Sequence, residues 1–450
     1  MNKVLIITTH FPPDRHVGAK RPAKFVKFLP EFGWQSVVLT MGEEHYHGID
    51  DSLSENLSGC VSIFRPKKWH VFGAMTLGRK NSKSKLNHRT AWKGIPLVKR
   101  FFVRLMLFDF GWILSACVRG AKIVKNEEID ILFSTSPNPE AHLVGLCLKI
   151  VTGRPWIADF RDPWTALDIF YTPGYFKRGI DRLCEKIVVT TADHITAISR
   201  TLAKNLNKLR NCRNKNNVSV VYNGYDKDDF DEVDDTASSA HPFTITYLGT
   251  WGTGRSPESF LRAMGKLLIQ CPNIKKQIRV NFVGEVKFDQ QMHALIEQVI
   301  LEENLNGVVN MIPFLPYKRG LNLLMHSDVS LLVVSLFHSR VGCLSSKLFE
   351  YMNAGKPILA LAPFESEEAQ IILAAGAGQV VAPEEVNAIS NKIKEMYMNF
   401  QNGCLSNGAD AYVTEKFERK KQTSKLAAIF NDLLVNANSG EKRRRTLPLC

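Results

Sequence analysis

The chain has 450 residues, 45% of them hydrophobic and 10% aromatic, a globular composition with length enough for two cores. Its 58 Lys and Arg against 44 Asp and Glu give a formal charge of +14, so an anionic partner is expected. The nine cysteines are scattered without a C-x-x-C pair, which argues against a zinc site or a disulfide framework and fits a reducing cytosol.

KVLIITT reads as the first strand, and no secretory signal is expected there, because the apolar run is short and ends in prolines. HFPPDRHVGAKR follows, with Gly18 ahead of a helix (AKRPAKFVKFLPEFG) closed by Gly33. The dinucleotide fingerprint G-x-G-x-x-G is missing from this turn, which weighs against an NAD enzyme. QSVVLTM is the second strand. From Asn56 to Phe108 there are twelve Lys and Arg and no Asp or Glu, interleaved with Trp69, Phe72, Trp92, Phe101 and Phe102. Cations mixed with aromatics suit an anionic membrane surface. No nucleic-acid partner is expected, since no helix-turn-helix, zinc finger or RNA-binding aromatic motif accompanies the charge. FFVRLMLFDFGWILSACV, broken by Arg104 and Asp109, is a poor membrane span.

Strands and helices then alternate. DILFSTS leads to a helix from Pro139 to Thr152 with His142 in its first turn. PWIADF delivers Asp159, Arg161 and Asp162 within DFRDPW. A helix around Lys177 to Ala192, the strand HITAIS, a helix from Arg200 and VSVVYNG complete the first half. Tyr225 to Pro242 is acidic and reads as a linker, within which Asp226-Lys227-Asp228 is taken as a solvated charge run rather than a metal motif. The alternation restarts with FTITYLG and the glycine-rich turn TWGTGRS, which ends in Arg255. IRVNFVG, VVNMIPF, VSLLVVSL, SSKLFEYMNAGKPILALAP and GQVVA follow. The fold class is therefore α/β with two Rossmann-like parallel sheets. The expected division is 1–224 with a membrane-facing insert at 56–108, a linker at 225–242, a second domain at 243–414, a helix at 415–435 and a disordered tail at 436–450.

Ligands of open parallel sheets bind beyond the carboxyl ends of the strands. The turn ending in Arg255 suits a phosphate, and so does the helix start at Ser345 and Ser346 with Lys347 beside it. Glu350, one turn later, suits a ribose diol. Together these point to a nucleoside-diphosphate ligand.

LIITTHFPPDRHVGAKR, STSPNPEAHL, IADFRDPW, ADHITAIS, VYNGYD, ITYLGT and SKLFEYMNAGKPILAL stand in this order over residues 1 to about 380. They resemble the retaining glycosyltransferases of family four, of two-domain GT-B architecture, and their polysaccharide-biosynthesis members. The resemblance implies domains facing across a cleft and a last helix crossing back to the first domain. It implies a nucleotide-sugar donor with Arg255 and Lys347 at the diphosphate and Glu350 at the ribose. It places His142 at the sugar ring, with Asp159 and Arg161 as further catalytic candidates. It implies a glycan or lipid-linked glycan acceptor, no metal and no separate cofactor. The site of action would be the cytoplasmic membrane's inner face, with the protein peripheral on it. Members often carry a glutamate eight residues before the ribose-binding one, where this chain has Gly342. That departure permits one alternative, a non-catalytic membrane-associated subunit; another nucleotide-sugar enzyme, such as an epimerase, is a further one.

Overall fold

The computed structural model describes residues 1–46, 48–54, 57, 61–69, 108–166, 175–210, 217–230, 241–252, 254–284 and 290–445. Most of the basic segment at 56–108, and with it the membrane expectation, lies outside the described residues, as does much of the linker.

Two parallel sheets organise the chain. The first holds β1 (Asn2–Thr8), β2 (Trp34–Leu39), β3 (Ser62–Phe64), β4 (Ile131–Thr135), β5 (Trp156–Phe160), β6 (His194–Ala197) and β7 (Val218–Val220), in the order β3-β2-β1-β4-β5-β6-β7. Val4 to Ile7 are wholly buried because helices cover both faces, which is why β1 is an unbroken apolar run rather than an alternating one. The covering helices are α1 (Lys20–Phe28), α2 (Phe110–Asn126), α3 (Glu140–Thr152), α4 (Tyr175–Thr191) and α5 (Arg200–Leu209). Gly33 ends the short 3-10 turn after α1 in the left-handed conformation, at φ 81°.

The second sheet holds β8 (Phe243–Leu248), β9 (Ile278–Val283), β10 (Val309–Ile312), β11 (Val329–Val333), β12 (Ile358–Leu361) and β13 (Gly378–Val381), in the order β10-β9-β8-β11-β12-β13. Its helices are α6 (Glu258–Gln270), α7 (Gln290–Glu302), α8 (Tyr317–Met325), α9 (Leu336–Val341), α10 (Lys347–Asn353), α11 (Glu367–Ala374) and α12 (Val386–Gln401). The strand order reverses between β1 and β4 and between β8 and β11, which opens a crevice at each carboxyl edge.

The chain crosses between the domains twice, and the crossings are tied together: Tyr225 N donates to Phe417 O (3.2 Å) and Arg419 N to Tyr225 O (2.7 Å). After α13 (Ala411–Glu415), α14 (Arg419–Arg445) returns to the first domain. There Phe430 sits edge-on to Trp34, with ring centroids 5.0 Å apart, and Trp34 Nε1 donates to Asn431 Oδ1 at 3.1 Å. The expected tail is thus corrected, since the helix continues through residues 436–445. The solvated reading of Asp226 is corrected too. Asp226 is buried and accepts from Lys24 and Lys27 at 2.6 Å each, so α1 supplies counter-charges that the local sequence does not reveal.

Candidate functional site

The two carboxyl edges face each other across a cleft of about 750 Å3. Its floor on the C-terminal side begins at Gly249, directly after β8. Gly249 has φ 136°, and a Cβ there would fall 2.2 Å from Lys347 Nζ, so only glycine lets the ammonium lie across the strand end. Lys347 Nζ donates to Tyr247 OH at 2.8 Å and lies 4.0 Å from that ring's centroid. Burial, with Arg255 beside it, holds the Lys347 ammonium well below the ordinary lysine range. Among the described residues neither Lys347 nor Arg255 is paired with a carboxylate, and Arg255 Nε is buried without an acceptor. Two cations without a carboxylate in contact at one carboxyl edge form a site that gains from an anion.

Glu350 is buried in the same wall. Its Oε1 accepts from Tyr317 OH at 2.9 Å and from Lys20 Nζ at 3.3 Å, the second bond spanning the cleft from α1. Ser346 does not cap α10 through its hydroxyl, because its backbone already lies in the helical region (φ −64°, ψ −27°). The loop is held from behind by Glu368 of α11, whose Oε1 accepts from Ser345 N at 3.4 Å. Glu368 is 3% exposed, its Oε2 has no partner among the described residues, and burial pushes its carboxyl up to about 7.

Family models match most of this architecture. The model described as Glycosyltransferase Family 4 matches residues 23–229, and Glycosyl transferases group 1 matches residues 228–401. The chain belongs to the family-four glycosyltransferases. Among solved structures, HepE from Anabaena in complex with UDP and glucose is similar, with TM-score 0.65 and 15% identity over 96% of this chain and all of that one. Sucrose-phosphate synthase from Thermosynechococcus elongatus gives TM-score 0.66 and 14% identity, covering 97% and 100%. A glycosyltransferase from Rickettsia africae gives 0.64 and 14%, covering 96% and 98%. These likenesses establish the two-domain GT-B fold. No curated protein sequence matches the chain.

Of the residues expected in this glycosyltransferase's site, Arg161, Arg255, Ser346, Lys347 and Glu350 line the cleft. Gly18 lies just behind its rim. A Cβ on Gly18 would come within 3.1 Å of the Arg161 guanidinium, whose NH1 is buried without a partner among the described residues.

His142 and Asp159, expected as catalytic groups, do not line the cleft and are buried. His142 sits on the sheet-facing stripe of α3 with Ala141, Val144, Gly145 and Leu148. Its Nδ1 lies 2.9 Å from Ser134 Oγ, its ring stacks on Phe160, and burial lowers its pKa to about 4. The 3–4 spacing of those neighbours was the available signal that this face points inward.

Asp159 is completely buried. Arg21 Nε and NH2 donate to its two oxygens at 2.9 and 2.8 Å, and Thr135 and Thr196 donate at 2.7 and 2.6 Å. Burial alone would raise this carboxyl, but Arg21 and the two hydroxyls hold it below the usual range. Its chemistry is that of a structural ion pair linking α1 to the sheet.

Gly342 marks the other departure. It ends α9 at φ 91°, its carbonyl accepts from Ser199 Oγ at 2.7 Å, and a Cβ would lie 2.5 Å from Leu202 N. The first domain therefore occupies the space a side chain at 342 would need. Beside it, Glu367 of α11 accepts from the amide and Nε of Arg200 at 2.9 and 3.2 Å and from Tyr222 OH at 2.9 Å. A carboxylate of one domain thus faces the start of α5 in the other, where the helix dipole favours it. Lys20, Tyr317 and Glu368 are among the cleft residues that the sequence did not single out.

Proposed function

We propose that this glycosyltransferase moves a sugar from a nucleotide-sugar donor to a lipid-linked glycan acceptor in cell-surface polysaccharide synthesis, with retention of anomeric configuration. The observation that carries the reading is the pair of cations, Lys347 and Arg255, left without carboxylate partners at one carboxyl edge. A diphosphate there would relieve their mutual repulsion and oppose the effect of burial on the Lys347 ammonium. Glu350 stands one helical turn from Lys347, within reach of the ribose of the same nucleotide. The complexes of the similarly folded Anabaena protein with UDP, and with UDP and glucose, support a nucleotide-sugar donor.

In the reaction the sugar's anomeric carbon loses its bond to the diphosphate oxygen and gains one to the acceptor hydroxyl oxygen, whose proton balances the departing diphosphate. Charge builds on the departing diphosphate, and Lys347 and Arg255 stabilise it with no reorganisation, the office a divalent cation performs elsewhere. Arg161, from the opposite wall, adds a third cation facing the same space. No helix among the described residues is long and apolar enough to cross a membrane. In this reading the lipid-linked acceptor is met by peripheral contact at the cytoplasmic face.

Calorimetry with nucleoside diphosphates tests the donor site. Glu350→Ala should cost about 1.5–3 kcal/mol of affinity, as expected for a charge-assisted hydrogen bond. Unchanged affinity in a folded variant would remove Glu350 from the ribose. NMR of the product anomer and turnover in EDTA test retention and metal independence: an inverted product would overturn the first, and activity restored only by magnesium or manganese the second.

A further inference from the structure

Lys20 belongs to the N-terminal domain, yet its ammonium is spent on the C-terminal domain's Glu350. Nζ lies 3.3 Å from Glu350 Oε1 and 3.3 Å from the Tyr317 ring centroid, so it is held both by charge and by the ring face. Burial weakens the Lys20 ammonium and Glu350 opposes that effect, so the two groups depend on each other. Both described partners of the carboxylate converge on Oε1, and Oε2 has none among the described residues. The carboxylate is therefore anchored at one oxygen and open at the other, on a wall that lines the cleft.

We propose that Lys20 is a positioning residue for the nucleotide: reaching across the cleft, it fixes Glu350 for ribose binding, so that tight nucleotide binding requires the closed arrangement of the domains. This rests on the assignment of Glu350 to the ribose. Tyr317 alone would leave the carboxylate free to rotate about its single remaining bond, whereas two donors on Oε1 hold it. Opening the cleft breaks the Lys20 bond and leaves the Tyr317 bond, which joins residues of one domain. Nucleotide affinity and closure are then linked, and each favours the other by the same factor.

The test titrates the full chain with UDP, GDP, ADP, CDP and dTDP and follows the tightest binder. Lys20→Met, which keeps the aliphatic stem over Tyr317, should weaken binding about tenfold or more, and Lys20→Arg should recover most of the loss. Small-angle scattering of the nucleotide-saturated proteins should give a larger radius of gyration for Lys20→Met than for the wild type, a difference that a purely local packing role would not produce. Wild-type or tighter binding by Lys20→Met, with Glu350→Ala weakened, would overturn the proposal and leave the ribose reading standing. If Glu350→Ala also binds as the wild type does, the ribose reading falls and this proposal with it. Should Lys20→Met fail to fold, Lys20→Gln serves in its place, with the same outcomes deciding.

Discussion

Removing the Asp159 carboxylate separates stability from chemistry at a position whose motif suggests catalysis. In Asp159→Ala the Arg21 guanidinium stays buried and keeps only the carbonyls of Val221 and Tyr222, each at 2.9 Å, as strong acceptors. Arg21 is 1% exposed, so water cannot replace the lost counter-charge. Breaking a buried pair from one side costs about 3–5 kcal/mol, because an uncompensated charge remains. The hydroxyls of Thr135 and Thr196 lose their acceptor as well, adding up to about 1 kcal/mol each. Scanning calorimetry should show the N-terminal domain melting on the order of 10 °C lower. Arg21→Met with Asp159→Leu, which removes both charges, should recover most of that loss. Because the folded Asp159 carboxyl lies below its unfolded value, its stabilisation is present above the ordinary carboxylate pKa and lost as pH falls through the depressed one. The wild type should therefore lose on acidification a contribution that the double variant lacks. At low temperature the folded single variant should keep its nucleotide affinity, since Asp159 does not line the cleft. A normal melting temperature with abolished turnover would refute this reasoning and return Asp159 to the reacting groups.

Gly342→Glu supplies the carboxylate common at this position in the family, yet it should lower kcat/KM and enlarge the particle in small-angle scattering. A Cβ at φ 91° is strained and would sit 2.5 Å from Leu202 N, so the domains must part to admit it. Higher activity with unchanged dimensions would show that the contact yields. Glu368→Gln should alter the pH dependence of unfolding. The folded Glu368 carboxyl, at about 7, exceeds its ordinary 4.5, so its contribution is fully present below about 4.5 and lost as pH rises through about 7. Replacing it should raise stability above pH 7 by about 2–3 kcal/mol and leave it little changed at pH 4, as urea titrations can measure. Parallel curves for the two proteins would show that the carboxyl is not held neutral.

Much of the fold was legible because it is written in short-range pattern. An apolar run such as Val4 to Ile7 announces a strand covered on both faces, and Gly33 announces the end of the element that follows. Lys347 and Glu350 stand three residues apart on one short helix, so the sequence alone determined that they share a wall. Position after a strand likewise put Arg255 and Arg161 at the carboxyl edges of their own sheets. Other short elements escaped that reading. The strand Ser62–Phe64 is too brief for a period, whereas the missed α12 (Val386–Gln401) carries a readable one, with Ile389, Ile393, Met396 and Tyr397 on its buried side.

The contacts that give each site residue its role were decided by the tertiary structure. Asp159 and Arg161 are two positions apart in DFRDPW, and nothing local says that the first is buried while the second reaches the cleft. Arg21, 138 residues from Asp159, claims that carboxylate, and Lys20, its neighbour in sequence, crosses 330 residues to Glu350. The strand and helix patterns needed only backbone periodicity and the exclusion of apolar side chains from water. Which charge meets which depends on how α1 lies against two sheets at once, and Gly342 has room for no side chain only because the other domain's α5 has come to rest upon it.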